Sequence, residues 1–190
     1  ESATIETWLN IDPAASDTGF HTFLDKGDNY SLSVIDDGSD GSFRIRLSTV
    51  TDTGIIETDS NDILTASKWH HVVAVIDSHN NRVTLYVDGA QVEMVETDFA
   101  SINTSTDSLT IGGADTFLAS TIDEVRIYDR ALELDEIFEH YNGIFNDNRD
   151  LALHLPLVTQ THETAHDLSS FRNDGTLYGP EWSRSAEGEE

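Results

Sequence analysis

Trp69-His70-His71-Val72-Val73-Ala74-Val75-Ile76-Asp77, then Ser78-His79-Asn80-Asn81, then Arg82-Val83-Thr84-Leu85-Tyr86-Val87-Asp88-Gly89, is the stretch on which the fold turns. The first arm is an almost unbroken apolar, β-branched run, the pattern of a strand covered on both faces. The polar quartet Ser78-Asn81 supplies turn chemistry, and Asp88-Gly89 supplies a second turn into Gln91-Val92-Glu93-Met94. A doubly covered strand calls for a second sheet above it, so the hairpin predicts a two-layer β structure.

Composition sets the limits around that hairpin. The 190 residues, 37% of them hydrophobic, suffice for one β-sandwich and not for two complete ones. There is no cysteine, which excludes disulfides and thiolate metal sites. No apolar run reaches membrane-spanning length. The start Glu1-Ser2-Ala3-Thr4 lacks an initiator Met, a basic region and an apolar signal core, and reads as the start of a mature or excised piece. Asp plus Glu number 36 against 10 Lys plus Arg, a formal net charge of -26. Such a surface repels nucleic acid and anionic membranes, so neither is expected as a partner. It fits first a halophilic or marine source, where salt screens the self-repulsion, and as the alternative an acidic extracellular protein that collects divalent cations.

The remaining chain is mostly alternation. Ala3 to Ile11 places Ile5, Thr7, Leu9 and Ile11 on one face and Trp8 on the other. Phe20 to Lys26, Asn29 to Ile35 and Phe43 to Leu47 read as further strands, separated by turn-rich loops at 12–19 and 36–41. Asp36-Asp37-Gly38-Ser39-Asp40-Gly41 has the Asp and Gly spacing of a calcium loop but neither its closing Glu nor flanking helices, and a solvated hairpin turn is the better reading. Ser108 to Gly113, Phe117 to Ser120 and Ile122 to Asp129 are the last strands of this body. In the third, Val125 and Ile127 share a face, with Asp123 beside them. The period then changes. Leu134, Ile137, Phe138 and Tyr141 fall at helical spacing, with Asp135 and Glu136 in the first turn and Gly143 as the stop, which predicts one short helix over 134–142 capping an open end of the sandwich.

These residues together resemble the laminin G-like domains of the concanavalin A-like lectin and glucanase superfamily. The resemblance rests on Thr4-Ile5-Glu6-Thr7-Trp8, Lys26-Gly27, Lys68-Trp69-His70-His71-Val72, Leu85-Tyr86-Val87-Asp88-Gly89, Ile111-Gly112 and Ile122 to Leu132, all in the family's order across residues 4–142. It implies an all-β jelly roll of two antiparallel sheets, in agreement with the alternation. One departure stands out. The family's opening segments, of the type "W-P-L-D-E-G" and "D-S-S-G-N-G-N-D-G-T-L", are missing at the N-terminus and have counterparts at the C-terminus, in Leu153 to Leu157 and Ala165 to Trp182. The family's "F-D-G" strand has no counterpart. The chain thus divides into a sandwich body, 1–145, and an opening-strand segment, 146–190. That segment starts the next repeat of an array, completes its own sandwich, or completes a neighbouring copy through residues 151–158. The second is favoured and the third is its rival, since an unpaired edge beside Val125 and Ile127 needs cover.

Glu133, Asp135 and Glu139 imitate the carboxylate cluster of the superfamily's glycoside hydrolases, but the spacing is one residue too long and the segment is helical, so no catalytic residue is assigned and an enzyme is not expected. The resemblance implies a structural calcium ion between the opening loop and the last strand, here Asp123, Asp167, Asn173 and the Gly175 carbonyl, all hard oxygen ligands. Unsatisfied, Asp123 would be a buried acid at a cost; the alternative is that it lies at the strand end and pairs with Arg126 or Arg130. His70 and His71 lie on opposite faces of one strand and cannot chelate together, and His154, His162 and His166 are too irregularly spaced for zinc. Trp8, Tyr30, Trp69, Tyr86 and Trp182 are the aromatic residues available for stacking on sugars, and loops 12–19, 36–41 and 96–107 are where a ligand would be met, with no platform residue singled out. The expectation is a non-catalytic recognition or adhesion module, extracellular or on the cell surface, stabilised by Ca2+ and binding a glycan or a surface protein. A filament subunit that donates its C-terminal strand to other copies of itself and an accessory module of a secreted hydrolase are the alternatives.

Overall fold

The computed structural model describes residues 1–13, 18–36, 38, 42–61, 64–113, 119–158 and 164–178. In chain order these form β1 (Ala3–Ile11), β2 (Gly19–Asp25), β3 (Tyr30–Asp36), β4 (Ser42–Thr51), β5 (Gly54–Asp59), β6 (Leu64–Thr65), β7 (Trp69–Asp77), β8 (Arg82–Val87), β9 (Ala90–Glu96), β10 (Thr110–Ile111), β11 (Ser120–Tyr128), α1 (Leu134–Tyr141), β12 (Leu151–Leu155), β13 (Thr164–Ala165) and β14 (Gly175–Thr176). One sheet runs β12-β11-β1-β7-β8-β9 and the other β10-β2-β3-β4-β5, with β6 set against β4. All recorded pairings within them are antiparallel, and the two sheets make a jelly-roll sandwich. Most of the loop 36–41, part of loop 12–19, Phe117, Leu118, His162 and Trp182 lie outside the described residues.

The hairpin forms as the sequence predicts. β7 and β8 pair from Val72 opposite Val87 to Asp77 opposite Arg82. The Asp77 carboxylate accepts the backbone N–H groups of His79 and Asn80, closing the turn. At the second turn Asp88 and Gly89 both take positive φ, 52° and 76°, as a two-residue hairpin with right-handed strand twist requires. Gly89 has a further constraint, since a Cβ there would meet the Tyr141 ring at 3.1 Å.

Both faces of β7 are covered, but by different layers. Val72, Ala74 and Ile76 enter the core between the sheets. Val73 and Val75 face outward into a second cluster with Tyr86, Tyr128, Leu132, Ile137 and Leu151. The helix therefore lies across the outer face of the first sheet and does not cap an open end, because that face carries the β-branched residues left uncovered by the second sheet. Its buried side also differs from the expected one. Ile137 and His140 are buried, while Leu134 and Phe138 are 53% and 57% exposed.

β11 carries the second departure. Glu6 pairs with Arg126 and Trp8 with Asp123, so β11 holds one residue more than β1 between these pairs, a bulge at which Glu124 takes φ 51°. Strict alternation is broken there, and Ile122 joins Val125 and Ile127 against the core. β12 pairs with β11 of the same chain, Leu155 opposite Val125 and Leu153 opposite Ile127, and covers that edge.

Candidate binding site at the open side of the sandwich

On the side where the sheets end in β10 and β12, they part and leave a groove of about 1830 Å³. Its floor is aliphatic, from Leu109 and Ile111 on one sheet edge to Ile122, Leu153 and Leu155 on the other. Its rim is polar, with Asn29, Asp107, Asp129 and Asn173, and Tyr178 stands there 90% exposed. Of the loops expected to meet a ligand, 96–107 borders the groove through Ile102 and Asp107, and no described residue of 12–19 or 36–41 does.

The C-terminal wall is organised by one carboxylate. Asp167 is fully buried, and its two oxygens accept four hydrogen bonds: Oδ1 from the His154 and Ser169 N–H groups, Oδ2 from the Ser169 hydroxyl and the Asn173 N–H. Burial alone would raise its pKa, but these donors outweigh it and hold the carboxyl below its ordinary value. The backbone N–H of Asp167 donates in turn to Asp174, whose other oxygen meets His166 Nδ1 at 3.1 Å. This knot closes the turn between β13 and β14 and brings Asn173 and Gly175 to the groove wall.

The expected calcium ligands are thus placed unequally. Asp123, 4% exposed, borders the groove, as do Asn173 and Gly175, and a buried carboxylate with amide and carbonyl oxygens is chemistry that a hard cation accepts. Asp167 does not border it. Its acceptor positions are filled by N–H and O–H donors, so it does not fit as a ligand in this arrangement. Among the described residues no group of three or more His, Asp or Glu is poised around a metal.

A second polar cluster, which the sequence did not reveal, lies between the first sheet and α1. Glu6 is 1% exposed, with His140 Nδ1 at 2.9 Å and His71 Nε2 at 3.7 Å from Oε2, and Arg126 Nη1 at 3.7 Å from Oε1. Burial works against its charge, yet the bond from His140 and the neighbouring His71 ring pull its pKa from 4.5 down to about 2. A carboxylate in that state only accepts, so His140 Nδ1 is the donor. The rings of Trp8 and Tyr141 pack against His71 beside the cluster, at centroid distances of 5.2 and 6.2 Å. Of the aromatic residues available for stacking on sugars, Trp8 is held in this group and Tyr86 in the outer apolar cluster with Val73 and Val75. His70 turns to the other side and meets Asp88 at 2.9 Å, so the two adjacent histidines serve separate partners.

The hydrolase-like carboxylates are helix furniture. Glu133, Asp135 and Glu139 are exposed, and the Glu133 N–H donates to Glu136 at the first turn of α1. Asp135 and Glu139 do not border the groove.

A laminin G family model, described as the concanavalin A-like lectin/glucanases superfamily, matches residues 1–138. No curated protein sequence matches significantly. Among solved structures, a protein of Bacteroides ovatus provisionally described as carbohydrate-binding superposes with a TM-score of 0.70 at 19% identity, covering 92% of this chain and 51% of that one. The present chain therefore spans about half that protein. A heptameric SAP-like pentraxin from Limulus polyphemus gives 0.57 at 15% identity over 74% of this chain and 69% of that one. The binding domain of botulinum neurotoxin DC, solved in complex with rat synaptotagmin II, gives 0.59 at 15% identity over 78% and 37%. At such identities the likeness is one of fold.

Proposed function

Because this chain belongs to the concanavalin A-like lectin/glucanases superfamily, we propose that it is a non-catalytic recognition module, working outside the cell, that binds a glycan or another surface protein. The groove carries this reading. It is a preformed concavity with an apolar floor and a rim of polar groups, the build of a binding site. The carboxylates that copy hydrolase spacing are exposed on the start and surface of a helix, where Asp135 and Glu139 cannot flank a bond held in the groove. Binding proteins among the fold relatives support the same reading.

The proposal includes a structural calcium ion held by Asp123, Asn173 and the Gly175 carbonyl, with water completing the shell. Asp167 acts one step back, by shaping the loop that presents Asn173 and Gly175. When bound, the ion neutralises a buried acid and ties β11 to the C-terminal segment.

The test combines a glycan array, a panel of surface-protein ectodomains and polysaccharide digestion, each with and without calcium. Retention of a glycan or an ectodomain without release of reducing ends is expected. Steady hydrolysis of any polysaccharide would overturn the reading.

A further inference from the structure

We propose that the groove is a strand-binding site: it takes an extended segment of a partner protein, apolar at alternate positions and basic between them, as an added strand beside β10. This rests on the recognition reading above and names the class of ligand. Three independent features of the groove lead to it.

The first is the backbone edge. β10 pairs on one side only, Thr110 with Asp25 and Ile111 with Leu24, and every residue from Ser108 to Gly113 borders the groove. Among the described residues its other edge has no partner strand. An edge of this kind offers N–H and C=O groups to an incoming strand.

The second is the floor. Ile111, Ile122, Leu157 and Leu177 pack half-buried against the core beneath the groove, beside Leu153 and Leu155. Sugars bind on aromatic planes with directed hydrogen bonds, whereas this floor is branched aliphatic. A strand laid along β10 would send every second side chain down onto it and the others out to the rim.

The third is charge. Glu1, Asp107, Asp129 and Glu133 stand around the opening. Partial burial raises the Asp129 carboxyl above its ordinary pKa, and the neighbouring negative charges of Glu1 and Asp150 add to the rise. The nearby cations are engaged, Arg130 in a two-pronged pair with Glu136 and Lys26 with the Asp107 carbonyl. A second copy, with net charge -26, would meet this rim with repulsion, and a basic segment with attraction.

The experiment uses the full chain and three short synthetic peptides: one alternating Lys and Val, one alternating Glu and Val, and one with the Lys and Val of the first sorted into two blocks. Fluorescence anisotropy gives affinity, and hydrogen exchange locates the contact. The alternating Lys/Val peptide is expected to bind at least about tenfold tighter than either control and to slow exchange over residues 108–113. Leu177→Asp should weaken it. Should that variant fold poorly, Asp129→Lys on the exposed rim should weaken it too, through charge alone. Equal binding of the sorted peptide, no binding, protection elsewhere, or a concentration-dependent dimer that closes the groove would each overturn the strand site. Glycan retention with no peptide binding would overturn this inference and leave the recognition reading standing, whereas hydrolysis would remove the reading itself.

Discussion

His140 Nδ1 on α1 stands 2.9 Å from the buried carboxylate of Glu6 on β1, a contact across 134 residues of chain that fastens the helix to the sheet. The folded pKa of Glu6 is about 2 against an ordinary 4.5, so the carboxylate is more acidic folded than unfolded. Its stabilisation is therefore complete above pH 4.5 and is lost as pH falls from 4.5 toward 2. The shift corresponds to about 3 kcal/mol. Denaturant unfolding of the native chain and Glu6→Gln should show a stability gap at pH 7 that closes across this window. A gap independent of pH would mean that the charge of Glu6 does not hold the helix.

The inward side of α1 gives a sharp contrast between neighbours. Ile137 is fully buried against Val73, Val75 and Tyr128, whereas Phe138 is 57% exposed. Ile137→Ala should cost about 2–5 kcal/mol by emptying a packed site. Phe138→Ala should cost less than about 0.5 kcal/mol. The comparison is read from unfolding midpoints, and reversed costs would place the helix in another rotation.

These two residues show how far the sequence was legible. Alternation in β1 and β4 leaves the direct trace of a half-buried sheet, and the unbroken apolar run of β7 called for cover on both faces; together they exposed the sandwich. The helix was legible as an element but not in its rotation. Helical spacing alone favoured Leu134 and Phe138, and only the Glu6 carboxylate waiting on the outer face makes His140 the inward residue. The bulge at Glu124 left no trace either, since one added residue in one strand is a matter of pairing with β1. Of the candidate site, Asp123, Asn173 and Gly175 all border the groove. The role of Asp167 was hidden because its four donors come from residues spread over 154–173.

Asp167→Asn should loosen the C-terminal wall. An amide places an NH2 group where N–H donors already point, so at least one acceptor position is lost and donors face each other in a buried site. Charge-assisted bonds of this kind contribute about 1.5–3 kcal/mol each, and a loss of about 2–4 kcal/mol is expected. Hydrogen exchange should quicken over 164–178 more than in β7. Uniform quickening would mean that the knot is not a local unit.

Calcium removal tests the proposed ion. With Ca2+ in excess the thermal midpoint should exceed that in chelator by several degrees, as ligation of the native state requires. Asp123→Asn should shrink that difference, while calorimetric titration should show weaker binding. A midpoint indifferent to both calcium and chelator would dismiss the ion, and the buried Asp123 would then be satisfied by protein groups alone.

Salt should stabilise this protein, and the reason distinguishes its surface from its interior. At a net charge of -26 the dominant long-range effect on the surface is self-repulsion, which opposes the compact state. Raising NaCl from 0.1 to 1 M shortens the Debye length from about 10 to about 3 Å and suppresses that repulsion. The attractive pairs would be weakened by the same screening, but those in the outer cluster are sheltered: Glu6 is 1% and Arg126 6% exposed. Repulsion is thus screened more than attraction, and the unfolding midpoint should rise steadily with NaCl. Arg149 and Asp147 form an exposed counterexample, with the arginine side chain 76% accessible, and removing Arg149 should matter little at any salt concentration. A midpoint that falls with NaCl would show that exposed pairs such as this one, and not net repulsion, govern the surface.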